Sequence, residues 1–404
     1  MLTILKHAQL YTPRFVGTKT LVIGGERVLW IGSENLSVPS ELVNEVLDLE
    51  GACVLPGLVD LHAHPTGGGG ESGPASRVPA PSLSSYTRAG VTSVVGLLGT
   101  DAETRSMESL LARIRALREE GISAWCYTGG YHLPGRTLTG SLRGDIVHLQ
   151  EVIGIGELAL SDFRSSQLTL AELLRVASQA QVGGMITGKA GICHLHMGDS
   201  ERGLDLVRAA LDTGDVPARV FHPTHVNRRV ALFEEALDLT TRGCSIDITA
   251  FPVEEGDEGL SAQIALERYL DEGYPAQRVT LSSDSGGCLP VFDSEAEIVH
   301  MDVGRSSDLT QTLTRLFLSG RSPQQFLPAF TSNPAQLAKL PRKGVLGPGS
   351  DADLVVLDGD YRVRDVMARG CWHVRDAQSV ILGTFETAQS TGLSAHEKIE
   401  SYSS

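Results

Sequence analysis

The 404-residue sequence has no apolar run approaching the ~20 residues needed to cross a bilayer. Its opening, Met1-Leu-Thr-Ile-Leu-Lys6, does not combine a charged start with a long apolar stretch and a cleavage site, so a cytoplasmic location is expected. Cysteine pairing is missing as well. Cys53, Cys126, Cys193, Cys244, Cys288 and Cys371 are widely scattered with no CxxC spacing, which argues against a disulfide framework and a cysteine zinc site and leaves most of them as buried thiols. Positive charge is in deficit: 34 Lys and Arg stand against 49 Asp and Glu, a net charge of −15. That balance repels phosphate backbones and anionic lipid, so no nucleic acid or membrane partner is expected. A hydrophobic content of 41% with 21% charged residues excludes a disordered chain or a coiled coil. Glycine is in surplus, at 44 residues. Much of it falls in loops such as Gly67–Gly70, where backbone must approach something closely.

Residues 1 to about 52 alternate short β-type runs (Leu2–Leu5, Thr20–Ile23, Arg27–Ile31, Val46–Leu49) with turn residues. From residue 53 the texture changes to apolar strands followed by amphipathic helices, as in a parallel α/β architecture. Strands are expected at Val54–Leu61, Val91–Leu98, Ile122–Tyr127, Val152–Leu160, Ile192–His196, Val220–Thr224, Cys244–Thr249 and Val279–Ser283, the number of a (β/α)8 TIM-like barrel. Helices are expected around Leu110, Leu111, Ile114 and Leu117, over Ser200–Leu211, and near Asp308–Leu318 and Pro323–Leu337. β-type runs return at Ala352–Leu357 and Val363–Val374, so both chain ends should build one small β-sandwich domain beside the barrel. The expected division is 1–52 and 343–387 for that domain, 53–342 for the barrel, and a tail rich in Ser, Thr and Glu over 388–404.

The first barrel strand ends in Asp60-Leu-His62-Ala-His64, and residues two apart on a strand share a face, so both imidazoles point toward the barrel mouth. Two like-facing histidines suit a metal but are also compatible with core or surface histidines. His196, His225 and Asp284 close strands five, six and eight, the ends at which barrel enzymes assemble their sites, and this convergence favours the metal. Glu157 stands inside the apolar strand Val152–Leu160, where an unpaired carboxylate is expensive to bury. Either a metal or a partner such as Arg164 would satisfy it, unless it is exposed at the strand end. Arg164 and Arg228 follow strands four and six, and their planar forks suit a carboxylate or surface ion pairs. Tyr131 beside Gly129 and Gly130 has a hydroxyl that suits a developing oxyanion, or simply packs.

The sequence resembles the isoaspartyl (β-aspartyl) dipeptidase family of the amidohydrolase superfamily over nearly its whole length. The marks are Pro56-Gly-Leu-Val-Asp-Leu-His-Ala-His64, Gly67-Gly-Gly-Gly-Glu71-Ser-Gly-Pro, Val94-Val-Gly-Leu-Leu-Gly-Thr100, Gly129-Gly-Tyr131-His, Ser161-Asp-Phe-Arg164-Ser, His196-Met-Gly-Asp-Ser200, Pro223-Thr-His225-Val-Asn-Arg228, Leu281-Ser-Ser-Asp284 and Gly349-Ser-Asp-Ala-Asp-Leu-Val355. The resemblance implies two zinc ions, one on His62 and His64 and one on His196 and His225, with Asp284 contacting metal and bridging water and acting as general base and then acid. It implies that Arg164 and Arg228 clamp the substrate carboxylate, that Glu71 meets the substrate amino group, that Gly69 and Thr100 line the aspartyl carboxylate, and that Tyr131 stabilises the oxyanion. A homo-oligomer, an octamer built from dimers, is implied too. Two positions depart from the family pattern. Its bridging carbamylated lysine is absent, since no lysine lies between Lys19 and Lys189 and the position falls on Glu157. The shorter bridge leaves room for deeper metals or for one metal alone. Cys288 stands where the family has a substrate-contacting serine, a weaker donor. The implied activity is hydrolysis of a β-aspartyl dipeptide by metal-activated hydroxide. Another hydrolase of the superfamily (a cyclic amidase or a deaminase) and an inactive structural barrel are the alternatives.

Overall fold

The computed structural model describes residues 1–33, 36, 38–253, 258–292 and 298–387. Eight strands line the barrel: β1 (Leu58–Ala63), β2 (Val91–Gly96), β3 (Ser123–Thr128), β4 (Val152–Leu160), β5 (Ile192–Met197), β6 (Phe221–Thr224), β7 (Ile246–Thr249) and β8 (Val279–Ser282). Every residue in them except Trp125 is buried. Parallel strands covered on both faces have no solvated side, so they read as continuous apolar runs rather than alternating ones.

Strands β1 to β6 pair in sequence order and β7 pairs with β8. The ring closes between β8 and β1, where the Asp284 N–H donates to His62 O at 3.0 Å and the His64 N–H donates to Ser285 O at 2.8 Å. Between β6 and β7 the joining falls to side chains. The Asn227 carboxamide accepts from the Thr249 N–H (2.9 Å) and donates to Thr249 O (3.0 Å) and Leu260 O (2.8 Å), standing in for a missing backbone rung.

Outside the strands, helix Met107–Glu119 starts at Ser106, whose hydroxyl accepts from the Ser109 N–H, and it buries Leu110, Leu111, Ile114 and Leu117. Helix Leu170–Thr187 opens on a Thr169/Glu172 capping box and stops at Gly188, whose φ of 74° a side chain would disfavour. Among the described residues, no helix is long and apolar enough to cross a membrane.

Both chain ends build one nine-stranded sheet around a separate core that includes Leu5, Leu21, Val54, Leu354 and Met367. Cys53–Pro56 joins the two ends, pairing in parallel with Leu2–Tyr11 and antiparallel with Leu354–Leu357. The expected strand Val54–Leu61 is therefore two strands in two sheets, and the barrel begins at Leu58 instead of residue 53. The chain crosses at Gly57, where a Cβ would lie 2.1 Å from Thr92 Oγ1. The run Val363–Val374 is likewise a hairpin, Val363–Ala368 and Cys371–Arg375, turned at Arg369 and Gly370 with φ of 48° and 76°. The expected helix Ser200–Leu211 starts at Asp205. Ahead of it Ser200 is held by its N–H to Ser161 O (2.8 Å), and the Ser161 hydroxyl donates to Gly203 O (2.6 Å). The tail expected over 388–404 lies outside the described residues.

Asn227→Ala would leave the Thr249 N–H buried without a partner and take one of two donors from Thr249 O, which keeps the Phe251 N–H at 3.1 Å. It should lower the unfolding free energy by about 1–3 kcal/mol in denaturant titration, and an unchanged midpoint would contradict the bridging role.

Candidate metal centre and active site

Because β1 is fully covered, its final turn toward the barrel mouth delivers His62 and His64 into a closed space. Asp60 fixes that end of the strand. Its carboxylate accepts from the His62 N–H (3.1 Å), the Ser283 N–H (3.2 Å) and the Ser283 hydroxyl, tying β1 to β8, and burial pushes it up to about 6. Glu157 enters from β4 and is 2% exposed. Around its two oxygens stand Nε2 of His62 (3.6 Å), Nε2 of His64 (3.6 Å), Nδ1 of His196 (3.0 Å) and Nε2 of His225 (3.7 Å). Burial alone would raise the Glu157 carboxyl, but His62 and His196 hold it well below the usual carboxylate range, so it is ionised at neutral pH.

Asp284 adds a second carboxylate, with Oδ1 at 3.0 Å from His64 Nε2 and 3.4 Å from His62 Nε2. Burial opposes its charge too, and His62 and His64 again prevail, keeping it far below its ordinary value. Nε2 of His62 and Oδ1 of Asp284 are buried without a hydrogen-bond partner. Such atoms suit coordination, and the structure gathers them into two compact sets, His62 with His64 and Asp284, and His62 with Glu157 and His225. A neutral imidazole and carboxylate donor set of this kind fits Zn, Mn, Fe or Co.

All six expected ligands thus converge, but their grouping differs from the one the resemblance implied. His62 belongs to both sets, and His196 to neither. Beyond its Glu157 contact, His196 turns Nε2 to Asp162 Oδ2 at 3.0 Å, an acidic partner behind the imidazole of the kind that orients metal-bound histidines.

Asp162 is the main residue the sequence reading passed over. Its carboxylate accepts from Arg164 Nε (2.9 Å) and Nη2 (2.8 Å), from the Arg164 N–H (2.7 Å) and from the Tyr131 hydroxyl (3.2 Å). Arg164 then reaches Glu71 Oε1 with Nη1 at 2.9 Å. Asp199 does the same for Arg228, facing Nε at 2.7 Å and Nη2 at 2.9 Å, while Nη1 donates to Met197 O at 3.1 Å. Neither arginine is a bare clamp, because each fork is already aligned by an aspartate, Asp162 of the same loop for Arg164 and Asp199 of the loop after β5 for Arg228. The quoted motifs contained both aspartates, but only Asp162-Phe-Arg164 carried a local signal, since Asp199 and Arg228 lie 29 residues apart.

The described residues enclose an open cavity of about 710 Å³, lined by His64, Gly69, Glu71, Thr100, Tyr131, Glu157, Arg164, His196, His225, Arg228, Asp284 and Cys288. Every expected site residue except the deeper His62 borders it. Glu71 Oε2 is buried without a partner, so the loop presents one committed and one open carboxylate oxygen. Arg105, another residue sequence reasoning missed, shapes this loop by donating to Gly68 O (2.6 Å) and Gly69 O (3.2 Å). Burial pushes Tyr131 well above its ordinary value and Cys288 up to about 12, so phenol and thiol are both protonated donors at neutral pH. Also missed were His194 and His222, buried behind His62, where burial drives His222 down to about 3 and keeps it neutral.

Residues 147–385, more than half of the chain, match the amidohydrolase family. The chain belongs to that family. The crystal structure of a β-aspartyl dipeptidase from Fervidobacterium islandicum AW-1, in complex with β-Asp-Leu, is 37% identical with a TM-score of 0.88, covering 96% of this chain and 100% of that one. A second crystal structure of β-aspartyl dipeptidase from that organism is 36% identical with a TM-score of 0.84, covering 94% and 98%. An imidazolonepropionase from Acinetobacter baumannii is 29% identical over 122 residues, which span 30% of each protein's length.

The cluster makes metal binding a proton exchange. Burial works against charge on His62, yet Glu157 and Asp284 override it and push the ring up to about 9. A cation taken on Nε2 must displace that proton. Binding at pH 7 should release about one proton from His62, and apparent affinity should climb about tenfold per pH unit toward about 9. The same raised value stabilises the stripped protein fully below about 6.5, an effect lost as pH rises through about 9. Calorimetry in buffers of different ionisation heat reads the proton count; proton-neutral binding at pH 7 would contradict this arrangement.

Proposed function

We propose that the protein is a zinc-dependent isoaspartyl dipeptidase that hydrolyses the β-aspartyl bond of a dipeptide. The observation that carries this reading is the composition of one cavity. A buried His and carboxylate cluster borders it at the floor, and Glu71, with an open Oε2 beside Arg164, borders it at the wall. A substrate with a cationic amino group and free carboxylates needs such a wall, whereas a neutral ring does not. The likeness to the Fervidobacterium dipeptidase with bound β-Asp-Leu supports the same substrate class.

His62, His64, Glu157, His225 and Asp284 would hold the metal, with His196 turning Nδ1 toward the same space. When bound, the metal supplies a more acidic water and a Lewis acid for the scissile carbonyl. The protein's own groups supply the rest. Asp284 is ionised at neutral pH, so it takes the proton of the attacking water and returns it to the departing amine. Tyr131 keeps its phenolic proton and donates it toward the developing oxyanion, exchanging its bond to Asp162 for one to substrate. The aspartates behind Arg164 and Arg228 present each guanidinium in a fixed plane, which lowers the ordering needed when a substrate carboxylate arrives. Glu71 Oε2 receives the amino group. A β-Asp substrate places its amine and carboxylate on the side of the bond away from the leaving residue, where Glu71, Gly69 and Thr100 stand on the cavity wall.

Zinc-loaded protein should hydrolyse β-Asp-Leu and leave dihydrouracil and hydantoin untouched. Acetylation of the substrate amine should lower kcat/KM by roughly 10–10²-fold, since the buried Oε2 loses a charged donor while Arg164 keeps Oε1, a loss of about 1.5–3 kcal/mol. Equal turnover of free and N-acetyl β-Asp-Leu would overturn the assignment of Glu71.

A further inference from the structure

Behind the metal cluster the barrel interior holds a row of polar side chains that no step above uses. Nδ1 of His62 lies 2.8 Å from Nε2 of His194, and Nδ1 of His194 lies 2.9 Å from Nδ1 of His222. Nε2 of His222 lies 3.1 Å from the Thr280 hydroxyl, which donates to Asp247 Oδ1 at 2.5 Å. All five residues are between 0 and 1% exposed. The row passes from β1 through β5 and β6 to β8 and ends on a carboxylate in β7. Asp247 accepts there from Thr224 (2.7 Å) and Ser282 (2.5 Å) as well. Three imidazoles are costly tenants for the centre of an apolar barrel, and buried polar groups that are retained must satisfy one another completely.

Proton accounting gives the row a direction. A neutral imidazole has one N–H, and a nitrogen that binds a metal cannot carry it. If His62 coordinates through Nε2, its proton is on Nδ1 and is donated to His194 Nε2. His194 must then carry its own proton on Nδ1 and donate to His222 Nδ1. His222 in turn carries its proton on Nε2 and donates to the Thr280 oxygen, whose hydroxyl proton goes to Asp247. Every donor meets an acceptor in that order. Reversing any one member places two protons, or two lone pairs, face to face inside the core.

We propose that His194, His222 and Thr280 are positioning residues that transmit the Asp247 carboxylate to His62 and lock its ring in the one tautomer that presents Nε2 to the metal. The inference rests on the metal reading above. It assigns to these residues the orienting task that a single carboxylate performs when it touches a metal-bound histidine directly. His194 and His222 do not border the cavity and so contact no substrate.

The test measures zinc affinity by chelator competition in the full-length protein, alongside the absorption spectrum of the cobalt-substituted form. His194→Phe keeps a planar ring but removes both hydrogen bonds. It should weaken binding roughly 10–100-fold and shift the cobalt spectrum. His194→Gln can accept at its carbonyl and donate from its amide, and should stay within about threefold of the parent. Thr280→Val, isosteric and three links away, should produce a smaller loss of the same sign. Zinc affinity unchanged in His194→Phe, or reduced equally in His194→Phe and His194→Gln, would overturn the proposal, because packing alone would then explain the row. Neutron diffraction of the zinc-loaded parent settles the matter if His194→Phe does not fold. Deuterium on Nδ1 of His62, Nδ1 of His194 and Nε2 of His222 supports the chain, and deuterium on Nε2 of His194 overturns it. A parent that takes up no zinc would instead end the metal reading itself, a result distinct from parent binding that His194→Phe leaves intact.

Discussion

An ionised carboxylate at the centre of an apolar strand is the constraint around which this molecule is arranged. Among the described residues, four imidazoles brought in by β1, β5 and the loop after β6 surround Glu157. Without them the carboxyl would be driven upward by burial and protonate, and the centre would have no fixed negative charge to hold a cation. With them, the charge is retained, but only if each ring is held at a set angle. Much of the surrounding polar structure serves that requirement: Asp60 ties the end of β1 to β8, Asp162 backs His196, the Thr249 hydroxyl meets His225 at 2.8 Å, and the His194–His222 row backs His62.

The same economy appears on the substrate side, where anionic groups organise the cationic ones. Asp162 and Asp199 each set an arginine plane, and Arg105 gathers the carbonyls of the glycine loop so that Glu71 faces inward. Asp162 couples the two halves, because one of its oxygens accepts from Tyr131, Arg164 and His196 together. A movement of the arginine toward substrate is therefore felt at the tyrosine and at a candidate ligand.

Much of this was readable from the sequence because periodicity is a local property. Two histidines two apart on an apolar strand must share a face, and ligand-type residues closing several strands of one barrel must meet. The lysine-free stretch, which left Glu157 as the strand-four carboxylate, was equally plain. What escaped were relationships between strands. Nothing in the spacing of Cys193-His194-Leu195-His196 says that His194 packs behind His62, since that depends on the stagger between β1 and β5. The aspartates behind Arg164 and Arg228 stood in the quoted motifs without a role, because a fork's partner is chosen by backbone turns. The crossing at Gly57 was missed for a different reason, as the apolar run continues unbroken through it while the hydrogen-bond partners change sheet.

The central claim is that Glu157 does permanently what a carbamylated lysine does conditionally, and reconstitution tests it most directly. Protein stripped of metal and returned to zinc in bicarbonate-free, CO2-depleted buffer should recover its full zinc content and β-aspartyl dipeptidase activity, since a glutamate is already ionised by its reference value of about 4.3. Glu157→Gln, which keeps the shape and removes the charge, should bind at least one zinc more weakly under the same conditions. A Glu157→Gln protein with the parent's zinc content and turnover, or a parent whose recovery requires bicarbonate, would contradict the account.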